Sequence, residues 1–238
     1  MSRRTAAVIA AAAGMTGAAA LIFLYAPADA LQGQVQRIFY LHVASAVAAY
    51  LCFAAVFAGG AVFLLRRSAP ADRLARAAAE VGLVFTTVVL LMGSLWAKPI
   101  WGTFWTWDAR LTSTLVLWMI YAGYLLVRRL SSPGPQAARL GAVVGIFGFI
   151  DVPVVHFSVT WWRTLHPQPV IETSNGLTPE MRLTVYATIV AVAFLASVLV
   201  AARYRLEILR ERAAELEEAA ELEQAPAPSP RRRVAVDT

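Results

Sequence analysis

The chain has 238 residues, of which 59% are hydrophobic and 15% charged, with a mean hydropathy of +0.61. A soluble domain carries about 45–50% apolar and roughly 25% charged residues, so the composition excludes an ordinary water-soluble globule and describes a single bilayer-embedded domain. The net charge of +6 does not indicate a nucleic-acid binder. The basic residues sit in short connections between apolar runs, not together on one solvated face.

A spanning helix needs about 20 mainly apolar residues, and six runs qualify in turn. The first, Ala6–Tyr25, follows Ser2–Arg4 and precedes Ala28-Asp29-Ala30, an arrangement shared with signal peptides. Its length exceeds the roughly 7–15 residues of a signal h-region, so it reads as a retained helix. The second, Ile38–Leu65, holds the single cysteine, Cys52, which reads as a small packing residue. One cysteine allows no internal disulfide, and without a CxxCH the chain does not attach haem to itself covalently. Val81–Ala97 and Thr112–Val127 follow, the latter short unless Trp107–Leu111 dips into the interface. Gly141–Thr160 and Leu183–Ala202 complete the set. The predicted fold is an all-α membrane protein, a bundle of six transmembrane helices spanning residues 1–202.

Beyond it, Leu206, Leu209, Ala213, Leu216 and Ala220 recur at three- and four-residue spacing. That pattern predicts a cytoplasmic C-terminal helical extension over 203–224, read as a solvated continuation of the sixth helix. Residues 225–238, with APAPSP and RRR, have a composition that predicts disorder.

Arginines set the orientation. Arg3 and Arg4, then Arg66, Arg67, Arg73 and Arg76, then Arg128, Arg129 and Arg139, and finally Arg203, Arg205, Arg210 and Arg212 fall at one end of the spans. The positive-inside rule places both termini in the cytoplasm and segments 26–37, 98–111 and 161–182 outside.

Six of the seven tryptophans lie in or beside two of those outward segments: Trp96, Trp101, Trp105 and Trp107 at one, Trp161 and Trp162 at the other. An interfacial aromatic belt would enrich both faces. The one-sided clustering predicts a binding surface, a flat apolar platform suited to a planar macrocycle. The three histidines sort the same way. His42 falls at the outer boundary, His166 four residues after Trp162, and His156 about one turn inside the fifth span. Imidazole is a common axial ligand of haem iron, and His42 with His166 could hold an iron from opposite sides. A transmembrane b-type cytochrome would bury its histidine pairs at mid-depth, where this chain has none.

Trp101–Ser113 reads WGTFWTWDARLTS, and it resembles the tryptophan-rich WWD signature of the haem-handling proteins of cytochrome c maturation. The form WGxxWxWDxRLT is most similar to the CcmC branch, the haem exporter protein C family. FYLHVASA around His42 and SVTWWRTLH ending at His166 resemble that family's two histidine segments. The larger CcmF and CcsA relatives have more spans and a Pro-Lys-Glu-like turn after WD, where this chain has Ala109-Arg110-Leu111. Pro167 stands where the pattern carries Gln directly after the histidine.

The resemblance implies an inner-membrane protein that binds haem b on its outer face, with His42 and His166 as axial ligands of the iron. Trp101, Trp105 and Trp107, with Gly102 and Asp108, would form the platform and its turn. Arg110, Lys98, Arg163 and Arg182 could each pair with a propionate, or each only cap a helix or meet lipid headgroups. It also implies partners: the membrane-anchored haem chaperone CcmE, which receives the haem, and the ABC-type pair CcmA and CcmB. The chain has no GxxxxGK[ST], so ATP hydrolysis falls to a partner. Delivery, not catalysis, is the implied role. A transmembrane haem transporter and an electron-transferring b-type cytochrome are the alternatives. Asp151, beside Pro153 in the fifth span, is either a functional intramembrane carboxyl or, as the preferred expectation, a protonated side chain bonded to the backbone that Pro153 frees.

Overall fold

The computed structural model describes residues 1–131, 134–167, 171 and 176–224. Helix α1 (Arg3–Ala20) is capped by the Ser2 hydroxyl, which accepts from the Thr5 amide. It widens into π-type turns over Leu21–Tyr25 before the chain leaves the helix. Then come α2 (Ile38–Arg66), α3 (Ala69–Trp101), α4 (Ala109–Leu130), α5 (Pro135–Phe149), α6 (Asp151–Trp161) and α7 (Pro179–Gln224). Helices α5 and α6 are one span broken at Ile150. Pro153 has no N–H to give the Phe149 carbonyl, and the helix breaks there. Among the described residues six helices are long and apolar enough to cross a membrane, and the chain is an integral membrane protein.

Helix α2 is the hub, packed against α3, α5 and α7, with α4 reached through α3 and α5. Small residues let the backbones close in, as expected where lipid supplies no hydrophobic drive between helices. A Cβ on Gly82 would lie 2.7 Å from the Phe53 ring, and one on Gly145 2.7 Å from Val56. Phe53 in turn stacks on Tyr121 at 3.7 Å and 8°, and the Tyr121 hydroxyl donates to the Gly145 carbonyl at 3.1 Å.

The helices outrun the apolar runs. Helix α3 begins at Ala69, not near Val81, because Ala69–Glu80 is alanine-rich and helix-prone without being apolar enough to span. Arg73 and Arg76 therefore lie on a helix, not in a loop. Helix α7 continues without a break from Pro179 to Gln224, so no separate extension is resolved at 203. Nor is its 203–211 stretch simply solvated. Arg73 donates to Glu211 at 2.8 Å, Arg76 pairs with Glu207 and Arg203 with Glu80. These pairs tie α7 to the start of α3. The 225–238 tail lies outside the described residues.

Candidate haem-binding surface

The tryptophan end is built on two helix termini. Helix α3 stops at Gly102, whose φ of +77° places it in the left-handed region that favours glycine. Its amide donates to the Lys98 carbonyl at 3.0 Å. The Lys98 ammonium donates to the Gly102 carbonyl at 3.0 Å and lies over the Phe104 ring at 5.2 Å. Lys98 thus closes the helix end on which the loop turns.

Asp108 starts α4. One carboxylate oxygen accepts from the Leu111 amide at 2.9 Å, the expected use of an Asp N-cap. The other accepts from the Thr164 hydroxyl at 2.8 Å, and the same hydroxyl accepts from the His166 amide at 3.1 Å. A single carboxylate therefore joins the tryptophan loop to the histidine loop. Trp101 reinforces the joint, its ring edge-on to His166 at 6.3 Å.

The His166 ring is held in one tautomer. A carbonyl can only accept, so the 3.0 Å contact between its Nδ1 and the Pro167 carbonyl makes Nδ1 the protonated nitrogen and leaves Nε2 its lone pair. Burial, then the nearby Arg110 guanidinium, lower its pKa from 6.5 to about 4, so the ring is neutral at physiological pH. Pro167 departs from the WWD pattern, yet the contact uses only its carbonyl, which any residue would supply.

His42 occupies the second turn of α2, facing α3. A Cβ on Gly93 would lie 3.0 Å from its Cε1, so the glycine makes room for the imidazole. Trp96 packs edge-on to it at 5.9 Å and is itself held by a 2.9 Å hydrogen bond from its indole to Gln32. The His42 Nδ1 is buried without a partner. His42, His166 and Arg110 lie within electrostatic reach of one another.

Arg110 is committed elsewhere than a propionate alone. Its Nη2 donates to the His156 carbonyl at 2.6 Å and its Nε to the Ser158 hydroxyl at 3.4 Å, pinning α4 to α6. His156 offers its ring to Phe157, edge-on at 4.8 Å. Trp105 and Trp107 meet edge to face at 5.6 Å. Trp107 is 77% exposed, while the Trp105 indole nitrogen is buried and unpartnered. Trp161 and Trp162 are both more than half exposed. Trp118 lies inside the bundle, donating to Thr87 at 2.8 Å.

Sequence reasoning brought together His42, His166, Trp101 and Asp108, and the structure places them at one end. It missed Thr164, Gly93 and Gln32. Gly93 left a faint signal, a glycine in an apolar run. Thr164 and Gln32 left none. Among the described residues no three His, Cys, Asp or Glu side chains cluster to hold a bare metal ion. Two histidines suit an iron whose other four ligands come from a porphyrin.

A family described as "Heme exporter protein C" matches residues 1–219. Among curated relatives, "Heme exporter protein C" of Bradyrhizobium diazoefficiens is 38% identical over 81% of this chain and 74% of its own length. The protein of that name from Escherichia coli K12 is 36% identical over 79% and 76%. A "Putative cytochrome c biosynthesis ccmC-like mitochondrial protein" of Marchantia polymorpha is 35% identical over 73% and 74%.

Proposed function

The chain belongs to the haem exporter protein C family, and from that premise we propose that it binds haem b at its tryptophan end and delivers it to the haem chaperone CcmE for cytochrome c maturation. The observation that carries this reading is the Asp108–Thr164–His166 chain of hydrogen bonds, which links the tryptophan loop to a histidine kept neutral and oriented. The arginine-rich end faces the cytoplasm with both termini, and the tryptophan end faces outward from the inner membrane. CcmA and CcmB supply the ATP-driven step. The chain is a delivery protein, not an enzyme.

Haem is the cargo, and its iron supplies two axial positions. His166 fills one through Nε2, its Nδ1 proton held by the Pro167 carbonyl. His42 fills the other from the α2–α3 seam, where Gly93 leaves space and Trp96 limits rotation. The exposed faces of Trp101, Trp105 and Trp107 cover apolar macrocycle, worth about 25 cal/mol per Å² removed from water. Gly102 sets the turn that brings them there, and Arg110, anchored on α6, offers positive charge to a propionate. Cargo held at an open rim can be passed on. A b-type electron-transfer role gains nothing here, because the three histidines include no pair at mid-depth.

The test is purification of the chain with and without CcmE, with spectra of each before and after mixing. The chain alone should carry haem with bis-imidazole absorption, and mixing should move haem covalently onto CcmE. A chain that purifies without haem, beside a chaperone that loads equally well in its absence, would overturn the reading.

A further inference from the structure

The loop between α1 and α2 is built around one carboxylate. Asp29 Oδ1 accepts from the Leu31 amide at 2.8 Å and from the Gln32 amide at 2.7 Å, the turn that an aspartate side chain favours. The Asp29 carbonyl accepts from the Gly33 amide at 2.9 Å, and Gly33 takes a φ of +57°, which glycine adopts without steric cost. Both flanks of the loop are tied. Arg37 donates to the Phe23 carbonyl at 2.9 Å, and Ile22 and Ala26 pack with Phe39 and Tyr40. The place of Gln32 therefore follows from α1 and α2 together.

Gln32 reaches across to α3. An indole N–H only donates, so the 2.9 Å contact from Trp96 Nε1 fixes the Gln32 carboxamide with Oε1 as the acceptor. The Trp96 ring lies edge-on to two residues one turn apart on α2, Phe39 at 6.1 Å and His42 at 5.9 Å. Helix α3 treats the two histidines alike. Trp96 meets His42 with ring planes at 67°, and Trp101 meets His166 at 68°. For His166 hydrogen bonds to Thr164 and Pro167 add to that contact. The His42 Nδ1 is buried without a partner, so packing against Gly93 and Trp96 sets its ring. A packing contact orients a ring only if the contacting ring is itself fixed. For Trp96 the fixing bond is the one to Gln32.

We propose that Gln32 is a positioning residue for His42: through the Trp96 indole it holds the imidazole in the orientation that meets haem iron, which makes the α1–α2 loop part of the cargo site. The proposal rests on the haem-binding reading above. It gives the first span a task besides anchoring, because α1 carries the loop to Trp96.

The test uses the full chain in detergent, with Gln32→Leu, Gln32→Glu and Trp96→Phe, and Gln32→Leu also combined with Trp96→Phe and with His42→Ala. In the ferric, haem-loaded chain, cyanide competes with a loosened axial histidine. Gln32→Leu should raise cyanide affinity about fivefold, the effect of one lost hydrogen bond. Trp96→Phe keeps a ring edge and loses the N–H, so it should match Gln32→Leu, and the two together should be no worse than either. Gln32→Glu keeps an acceptor and should restore near wild-type affinity. On His42→Ala, Gln32→Leu should add nothing. A second readout needs no haem. Diethyl pyrocarbonate should modify His42 about fivefold faster in the haem-free Gln32→Leu chain, with His156 and His166 unchanged. An unchanged cyanide affinity, an unchanged His42 modification rate, equal increases at all three histidines, or a full further effect of Gln32→Leu on His42→Ala would each overturn the proposal. Where Gln32→Leu fails to insert, Trp96→Phe carries the same readings. A chain that never holds haem would remove the delivery reading, and the modification rates alone would then decide whether Gln32 holds His42.

Discussion

The two ends of the bundle satisfy their polar groups to different degrees. At the arginine-rich end Arg73, Arg76, Arg128 and Arg203 each meet a carboxylate of a neighbouring helix, Arg128 reaching Asp72 at 2.6 Å. Among the described residues only Arg128 there leaves buried atoms without partners, its Nε and Nη1. At the tryptophan end His42 Nδ1, Trp105 Nε1, Thr106 and Thr112 carry buried polar atoms without partners, while Phe104, Trp107, Trp161 and Trp162 expose more than half of their surface. Buried polar groups are normally bonded, and most of the unpartnered ones cluster at the end that also exposes large aromatics. On the proposed function, the contrast is between an end tied by ion pairs and an end that would meet the cargo.

The sharpest way to break the comparison is at the ligands. His42→Ala or His166→Ala should abolish most haem retention and remove bis-imidazole absorption, whereas His156→Ala should leave the spectrum intact. Dependence on His156 with indifference to His166 would identify a different ligand pair. The same site has a pH signature. Neutral imidazole is the form that binds iron, and with the His166 value near 4 protons compete only as the pH falls toward 4. Haem bound through His166 should therefore persist from about pH 7.5 to pH 5.5, where an ordinary histidine already titrates. Folding stability linked to this group declines in the same direction, as pH drops below 6.5 and the unfolded ring takes up a proton that the folded one refuses.

Next in size is the double change Trp105→Ala and Trp107→Ala, which should weaken haem retention and block transfer to CcmE while the helices still insert. Trp118→Phe is the matched control. Alanine there would cut a bond to Thr87 inside the bundle and confuse packing with function. Normal transfer by the double variant at wild-type expression would reduce the tryptophans to an interfacial belt.

Gly93→Ala tests the seat of His42 more gently. The added methyl meets Cε1 at 3.0 Å, so the ring must shift by a few tenths of an ångström. A mixed-spin haem spectrum at near-normal expression is expected, and an unchanged spectrum would show that the seam yields freely. The smallest effect belongs to the other end. Arg73→Ala removes a pair whose glutamate is 44% exposed, and pairs of that kind contribute about 0–1 kcal/mol. Thermal stability should barely move and haem content should not change.

Much of this was legible in the sequence, and the remainder has physical reasons. The six spans follow from hydropathy, because a bilayer forces backbone satisfaction within each helix. Their ends do not, since Ala69–Glu80 and the stretch after Ala202 are helical by propensity and ion pairing, with no apolar signal. The Trp and His segments stand out by residue type. What joins them does not. Thr164, a plain threonine two residues before His166, carries the link to Asp108, and only the fold brings Gln32 under Trp96. Asp151 lines the seam between α4 and α6, and its Oδ2 is buried without the backbone partner expected from Pro153.

Helix α7 runs 46 residues without interruption, about 69 Å at 1.5 Å per residue and more than twice the thickness of the hydrocarbon. Near its start Met181 and Val185 pack with Tyr40, two residues from His42, and beyond its middle Glu207 and Glu211 grip Arg76 and Arg73. Such a rod is a lever with its fulcrum in the bilayer. A tilt of a few degrees imposed at the charged end would arrive at the tryptophan end as a displacement of about an ångström or more, the scale on which an imidazole would gain or lose a bond to iron.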